Sequence, residues 1–207
     1  MPHGFAGSIS LFNKIIQQDD IAHHLSSTRL ATGGHKLSSV EQKIWRDIVG
    51  DIVNVFNSSD INRDKTYLFA EYDIPGHLGR CDLVIIGKGL DGRENGLVVE
   101  VKKWSRIDTL EESGYVRYGG RLHVHPTIQA LGYRDKLLYF HAESGSYKWH
   151  ANVWFPDMNA IDLSLLAGRA PQECKLWSLS NKRNELHSYL RNLFGAGLED
   201  DYFTRFS

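Results

Sequence analysis

The sequence predicts a mixed α/β fold of the α+β kind, in which a central mixed sheet of about four or five strands is flanked by helices. Three observations predict it. Runs rich in Val and Ile at Arg80–Gly87 and in Val at Gly96–Lys103, and an alternating aromatic run at Lys148–Phe155, have the length and composition of strands, and Gly, Pro and Asn-Gly pairs punctuate them. Around these runs lie segments of helical periodicity with caps. At 207 residues and 42% hydrophobic, the chain is long enough to enclose a core as one domain.

Taken in order, Ser8 or Ser10 caps a first helix with Leu11, Phe12, Ile15 and Ile16 on one side, an amphipathic segment that docks on the core. Ser26 to Lys36, with Gly33-Gly34, reads as a loop. Ser38 and Glu41 have the spacing of a capping box and open a helix from about Ser39 to Phe56, whose apolar arc runs from Val40 through Ile44, Trp45, Ile48 and Ile52 to Phe56. Glu41 falls inside that arc. A cap accounts for its position, and a site role is the alternative for a carboxylate facing inward.

Thr66 to Ile74 is a strand, and Pro75-Gly76 turns the chain into Arg80–Gly87, where Asp82, Val84 and Ile86 alternate onto one face. Asp91-Gly92 and Asn95-Gly96 mark the connection to the next strand. Tyr115 to Val124 is a small hairpin turning at Gly119-Gly120, and Pro126 opens a helix to about Phe140 on which Gln129 and Tyr133 stack four residues apart. His123 and His125 alternate as strand ligands would, but a hairpin end followed by a helix start is the simpler reading. Lys148–Phe155 and Lys175–Leu179 are further strands. Ser180 caps a last helix, Asn181 to Phe194, with Leu186, Leu190 and Leu193 inward and Gly195 and Gly197 at its end. The expected organisation is a helical extension over residues 1–37, a main domain over 38–197 and a tail over 198–207.

Charge set into apolar strands is the chemical signal. In GLVVEVKK, Glu100 and Lys102 share a face with Val98; either this is an edge strand with a solvated pair, or a buried strand whose charges are paired, bind an ion or do chemistry. Asp82 is a second carboxylate in a β-forming run, one strand earlier. Adjacent strands lie about 4.8 Å apart, so Asp82 and Glu100 approach closely if the register permits, a repulsion that a divalent cation would reverse.

A formal charge of -1 excludes a histone-like basic coat, while Lys102 to Lys136 carries a mild basic excess. Cys81 and Cys174 are far apart, no secretory segment opens the chain and no apolar run approaches membrane-spanning length, so a cytoplasmic, reducing location without membrane attachment is expected. No phosphate-loop motif or internal repeat is present.

The order of these features, an inward Glu on a first helix, Asp82, then Glu-x-Lys, then Gln-x-x-x-Tyr on the following helix, resembles the PD-(D/E)XK nuclease superfamily and its RecB-like branch. Within it, EYDIPGHLGRCDLVIIG, NGLVVEVKKW and HPTIQALGY are similar to the nuclease-like domain that precedes Schlafen-type superfamily I helicases. The resemblance spans about Ser39 to Phe194 and implies a restriction-endonuclease-like core. It implies that Asp82, Glu100 and the carbonyl of Val101 hold Mg²⁺, with Mn²⁺ as a substitute, and that Lys102 orients or deprotonates the attacking water. Glu41 becomes the first-helix acid, Gln129 and Tyr133 steady the lysine and the substrate phosphate, and Lys103, Arg80 and His125 join them as candidate substrate-binding residues. Cys81 stands where the motif has Pro. The implied partners are nucleic acid, DNA before RNA, and a helicase or defence-system protein, with a homodimer left open. The alternatives are a nuclease-fold module that binds without cutting, and a structural domain whose charged pair is surface decoration.

Overall fold

A computed structural model describes residues 2–74, 79–111, 114–140, 144–180 and 183–198. The turn expected at Pro75-Gly76, the start of the last helix at Asn181 and the tail beyond Leu198 lie outside them. The central sheet has six strands, one or two more than expected: β1 (Phe5–Ser8), β2 (Tyr67–Asp73), β3 (Arg80–Lys88), β4 (Glu94–Val101), β8 (Lys148–Phe155) and β9 (Cys174–Ser178), side by side in that order. The first four are antiparallel, and β4–β8 and β8–β9 are parallel, so the sheet is mixed as expected. A second sheet of three short strands, β5 (Thr109–Leu110), β6 (Tyr115–Tyr118) and β7 (Arg121–Val124), contains the hairpin at Gly119-Gly120.

Helices cover both faces. One layer holds α1 (Ile9–Gln18), α2 (Ile21–Ala31), α3 (Ser39–Ser58) and α6 (Arg183–Phe194), whose apolar sides meet Leu83, Ile85, Leu97 and Val99. The other holds α4 (Pro126–Phe140), which packs Tyr133 and Leu137 on Val84, Ile86 and Val98, and α5 (Ala160–Arg169). Burial on both faces explains why β4 reads as continuous Leu97-Val98-Val99 rather than apolar-polar alternation. It also excludes the edge-strand reading: β4 lies between β3 and β8.

Four local expectations are corrected. Residues 26–31 are the second half of α2 rather than loop, because Asp20 caps that helix from before Ile21 while Ala22 and Leu25 dock on the core. The first 37 residues are not purely helical, since β1 pairs with β2 along Phe5↔Ala70 to Ser8↔Tyr67. The helix α5 connects the two parallel strands where no helix was expected; Asn159 caps it, accepting from the Asp162 amide at 2.9 Å. On α3, Val40 is exposed in the first turn and lies outside the apolar arc.

Candidate active site

The strands β2 and β3 break their alternation at one level, beside the end of β4, and that level is the candidate site. On β2, Ala70 packs in the α3 layer, but Tyr72, two residues on, packs in the α4 layer. On β3, Leu83 and Cys81 divide in the same way. The ladder pairs Ala70 with Leu83 and Tyr72 with Cys81, leaving Glu71 and Asp82 between these pairs. Glu71 has φ 55°, the only positive φ among the described non-glycine residues. Such a conformation costs about 1–3 kcal/mol and persists only where surrounding bonds impose it. Asp82 therefore does not simply follow Val84 and Ile86 on one face, as strict alternation predicts.

The slip opens a pocket of ≈ 140 Å³ lined by Glu41, Ile44, Trp45 and Ile48 of α3, by Glu71, Arg80 and Asp82 of β2 and β3, and by Glu100, Val101 and Lys102 at the end of β4. Leu83 pairs with Val99, so the next residues along are Asp82 and Glu100, and the Val101 N–H donates to Asp82 Oδ2 at 2.7 Å. Lys102 lies just beyond β4, its amide still bonded to Trp154 O at 2.9 Å. Its Nζ meets Glu100 Oε1 at 2.6 Å and donates to Gln129 Oε1 at 3.0 Å; Gln129 Nε2 in turn donates to Tyr133 Oη at 2.9 Å. The four-residue spacing on α4 thus builds a relay that fixes the ammonium from the far side.

Glu41 serves its helix and the pocket together. Its Oε2 accepts from Ser38 N at 2.7 Å to close the capping box, while Oε1 accepts from Arg80. The two readings of Glu41 are therefore compatible rather than exclusive. Arg80 also pairs with Glu71 through Nε, and Trp45 Nε1 donates to Glu71 Oε1. Sequence reasoning quoted Glu71 within EYDIPGHLGRCD but gave it no role. The available signal was the one that marked Asp82: a carboxylate in a β-forming run, here flanked by Leu68, Phe69, Ala70 and Tyr72.

Four carboxylates face two cations here, and burial governs their ionisation. Desolvation, followed by the nearby Asp82 charge, pushes Glu100 to about 8 against the pull of Lys102, and the same two causes push Glu71 to about 7 despite Arg80. Asp82 is also raised, by burial, against the Val101 N–H and Lys102. Burial pushes Glu41 up as well, but the bonds from Ser38 and Arg80 outweigh it and hold its carboxyl below the usual value. Among the described residues Glu100 Oε2, which is buried, has no hydrogen-bond partner. An orphaned carboxylate oxygen beside a second raised carboxylate is an environment that a hard divalent cation would relieve, and Asp82, Glu100 and the Val101 carbonyl are the donors that could hold one, with water for the rest. Among the described residues no three His, Cys, Asp or Glu side chains form a ready-made metal cage, and Mg²⁺ typically uses one or two carboxylates with several waters.

Two candidate residues lie elsewhere. Lys103 turns outward and its ammonium pairs with Asp47 of α3. His125 is buried at the start of α4, its Nδ1 2.6 Å from Thr127 Oγ1, and lines a separate pocket with Tyr115, Ile128 and Arg169; burial lowers its pKa. The side chain after a strand end and the residue before a helix each take the direction set by local backbone, which motif order does not reveal. The two cysteines are free and buried, and no described helix is long and apolar enough to cross a membrane.

No protein-family model and no curated protein matches the chain. Among solved structures it is similar to a repair endonuclease from Pyrococcus abyssi, with 15% identity and a TM-score of 0.36 over 70% of this chain and 49% of that one. The chain spans about half the length of that protein, and its site is read from its own geometry.

Proposed function

We propose that the chain is a metal-dependent nuclease that hydrolyses phosphodiester bonds, of the PD-(D/E)XK type its motifs resemble, acting on DNA in preference to RNA. The observation that carries this reading is the convergence, in one pocket, of two strand carboxylates, Asp82 and Glu100, with an ammonium held between Glu100 and Gln129. Phosphodiester hydrolysis requires a positioned water, a lowered pKa for that water and neutralisation of charge gathering on phosphate oxygens. Mg²⁺, or Mn²⁺ in its place, would supply the lowered pKa and part of the neutralisation when held by Asp82, Glu100 and the Val101 carbonyl.

The remaining tasks fall to side chains. The Val101 N–H holds one oxygen of Asp82 and thereby orients the carboxylate. Lys102 donates to Glu100 and Gln129 and has a third N–H for the water or a phosphate oxygen. Tyr133 fixes the amide of Gln129, so the relay resists rotation of the lysine. Repair or defence, with a helicase or other defence-system protein as partner, is the setting the motif resemblance implies. A second reading, a module that binds nucleic acid without cutting, is favoured by Arg80, which lies across Glu41 and Glu71 within the same pocket.

Supercoiled plasmid and single strands incubated with Mg²⁺ or Mn²⁺ test the proposal. Nicking or degradation that disappears in Lys102→Ala is expected. Absence of cleavage by the wild type, or cleavage undiminished in that variant, overturns it.

A further inference from the structure

Glu71 is the pocket carboxylate with no part in the chemistry above, and the fold commits several groups to it. Trp45 of α3 donates to its carboxylate, and Arg29 of α2, only 3% exposed, donates Nη1 to its carbonyl at 2.6 Å. The same guanidinium meets both carboxylate oxygens of Asp73, at 2.9 and 3.1 Å, and its Nε donates to His35 O at 3.0 Å. The left-handed backbone at Glu71 is thus bracketed by one buried arginine. Its effect is to swing the side chain toward α3, where it meets Arg80. A buried ion pair is seldom retained for stability alone, since apolar residues of similar volume serve as well or better.

Arg80 is caught from two sides. Its Nε faces Glu71 and its Nη2 donates to Glu41, while Nη1 has no partner among the described residues. A guanidinium so held cannot rotate, and it presents a planar edge of donors to the same pocket that receives Lys102. That fork suits a tetrahedral anion's oxygens, which accept two parallel N–H bonds.

We propose that Glu71 is a positioning residue that fixes Arg80 so that the free edge of its guanidinium takes a non-bridging phosphate oxygen of the nucleic-acid backbone. The inference rests on the nuclease reading and adds to it a built phosphate clamp. Glu41 holds the other side of the fork, so the clamp joins α3 to the strand carboxylates.

Binding of a fluorescent DNA oligonucleotide, measured by anisotropy over a salt series with Ca²⁺ present, tests the assignment in Glu71→Gln, Arg80→Gln, the double variant and Trp45→Phe. Each of the first two is expected to weaken binding about tenfold and to lower the slope of log K against log salt by about one, as the loss of one phosphate contact does. The double variant should bind no more weakly than Arg80→Gln, because the two residues act as one. Trp45→Phe, which frees Glu71 while keeping its charge, should reduce the slope in the same direction, so a Glu71→Gln protein that fails to fold does not end the test. In Mn²⁺-dependent cleavage, Glu71→Gln should raise KM more than it lowers kcat. Variants that melt earlier yet keep the wild-type slope and affinity overturn the positioning role while the nuclease reading stands. A wild type that neither binds nor cuts nucleic acid overturns both.

Discussion

Replacing Glu100 with Gln should make the metal-free protein more stable while abolishing its stabilisation by Mg²⁺. Glu100 is 3% exposed, and burial with the Asp82 charge carries its pKa from 4.5 to about 8. A raised acid binds its proton more tightly folded than unfolded, so between those two values the folded state holds the extra proton and stability falls as pH rises. At pH 7 the difference between 7 and 4.5 corresponds to about 3 kcal/mol that folding forfeits relative to a solvated carboxylate. Gln has the same size and no charge, so it avoids that cost. Lys102 loses its partner at 2.6 Å but keeps Gln129, leaving an expected net gain of about 1–2 kcal/mol, or roughly 2–8 °C in Tm for a domain of this size. The wild type in turn should gain about 2.7 kcal/mol from Mg²⁺ at roughly a hundredfold excess over its Kd. Calorimetry of both proteins in EDTA and in Mg²⁺, from pH 5 to pH 8, reads every term. The variant should show a flatter pH profile and no response to the metal. A variant less stable than the wild type in EDTA, or one that Mg²⁺ stabilises equally, refutes the reasoning.

Gln129→Ala should reduce single-turnover cleavage by about 10²-fold with a small change in Tm, because it frees Lys102 on an otherwise intact helix. Ser38→Ala removes the hydroxyl half of the α3 capping box and should cost about 1 kcal/mol in denaturant titrations without altering cleavage, whereas Glu41→Gln should affect both. Arg29→Ala leaves Asp73 and the Glu71 carbonyl without their buried partner and should destabilise by about 3–5 kcal/mol, visible as a large fall in the urea midpoint. Gly96→Ala places a methyl carbon 2.6 Å from the Trp149 ring and should cost about 1–3 kcal/mol by the same titration.

Elements whose local signals agree with their packing were legible in the sequence. The α3 helix is closed by Ser38 and Glu41 and carries its apolar stripe from Trp45 to Phe56, and the chain from Lys148 to Phe155 is a strand as its alternating aromatics require. The β1 strand, at four residues, is too short to show a period, and it forms because β2 offers an edge. The α2 helix was hidden because His23, His24, Ser26 and Ser27 dilute its apolar face. In the site, Asp82, Glu100 and Lys102 stood out as charges in apolar strands, and the proximity of Asp82 to Glu100 follows the register of β3 with β4, whereas Gln129 and Tyr133 read as ordinary boundary residues of a helix and were singled out only by the motif resemblance. Glu71 was missed because its orientation depends on a left-handed residue held by Arg29, forty-two positions away. No periodicity encodes a break in periodicity.

The Arg29 bracket ties the leading segment of the chain to the pocket. A shortened protein starting at Ser38 would keep every motif residue, from Glu41 to Tyr133, yet it would lack both the strand that covers β2 and the guanidinium that braces Glu71 and Asp73. Such a truncate would expose the bare margin of β2 to pairing with other chains, and its pocket would lose the brace from behind. Boundaries drawn around the motifs alone would therefore cut through the unit that builds the pocket.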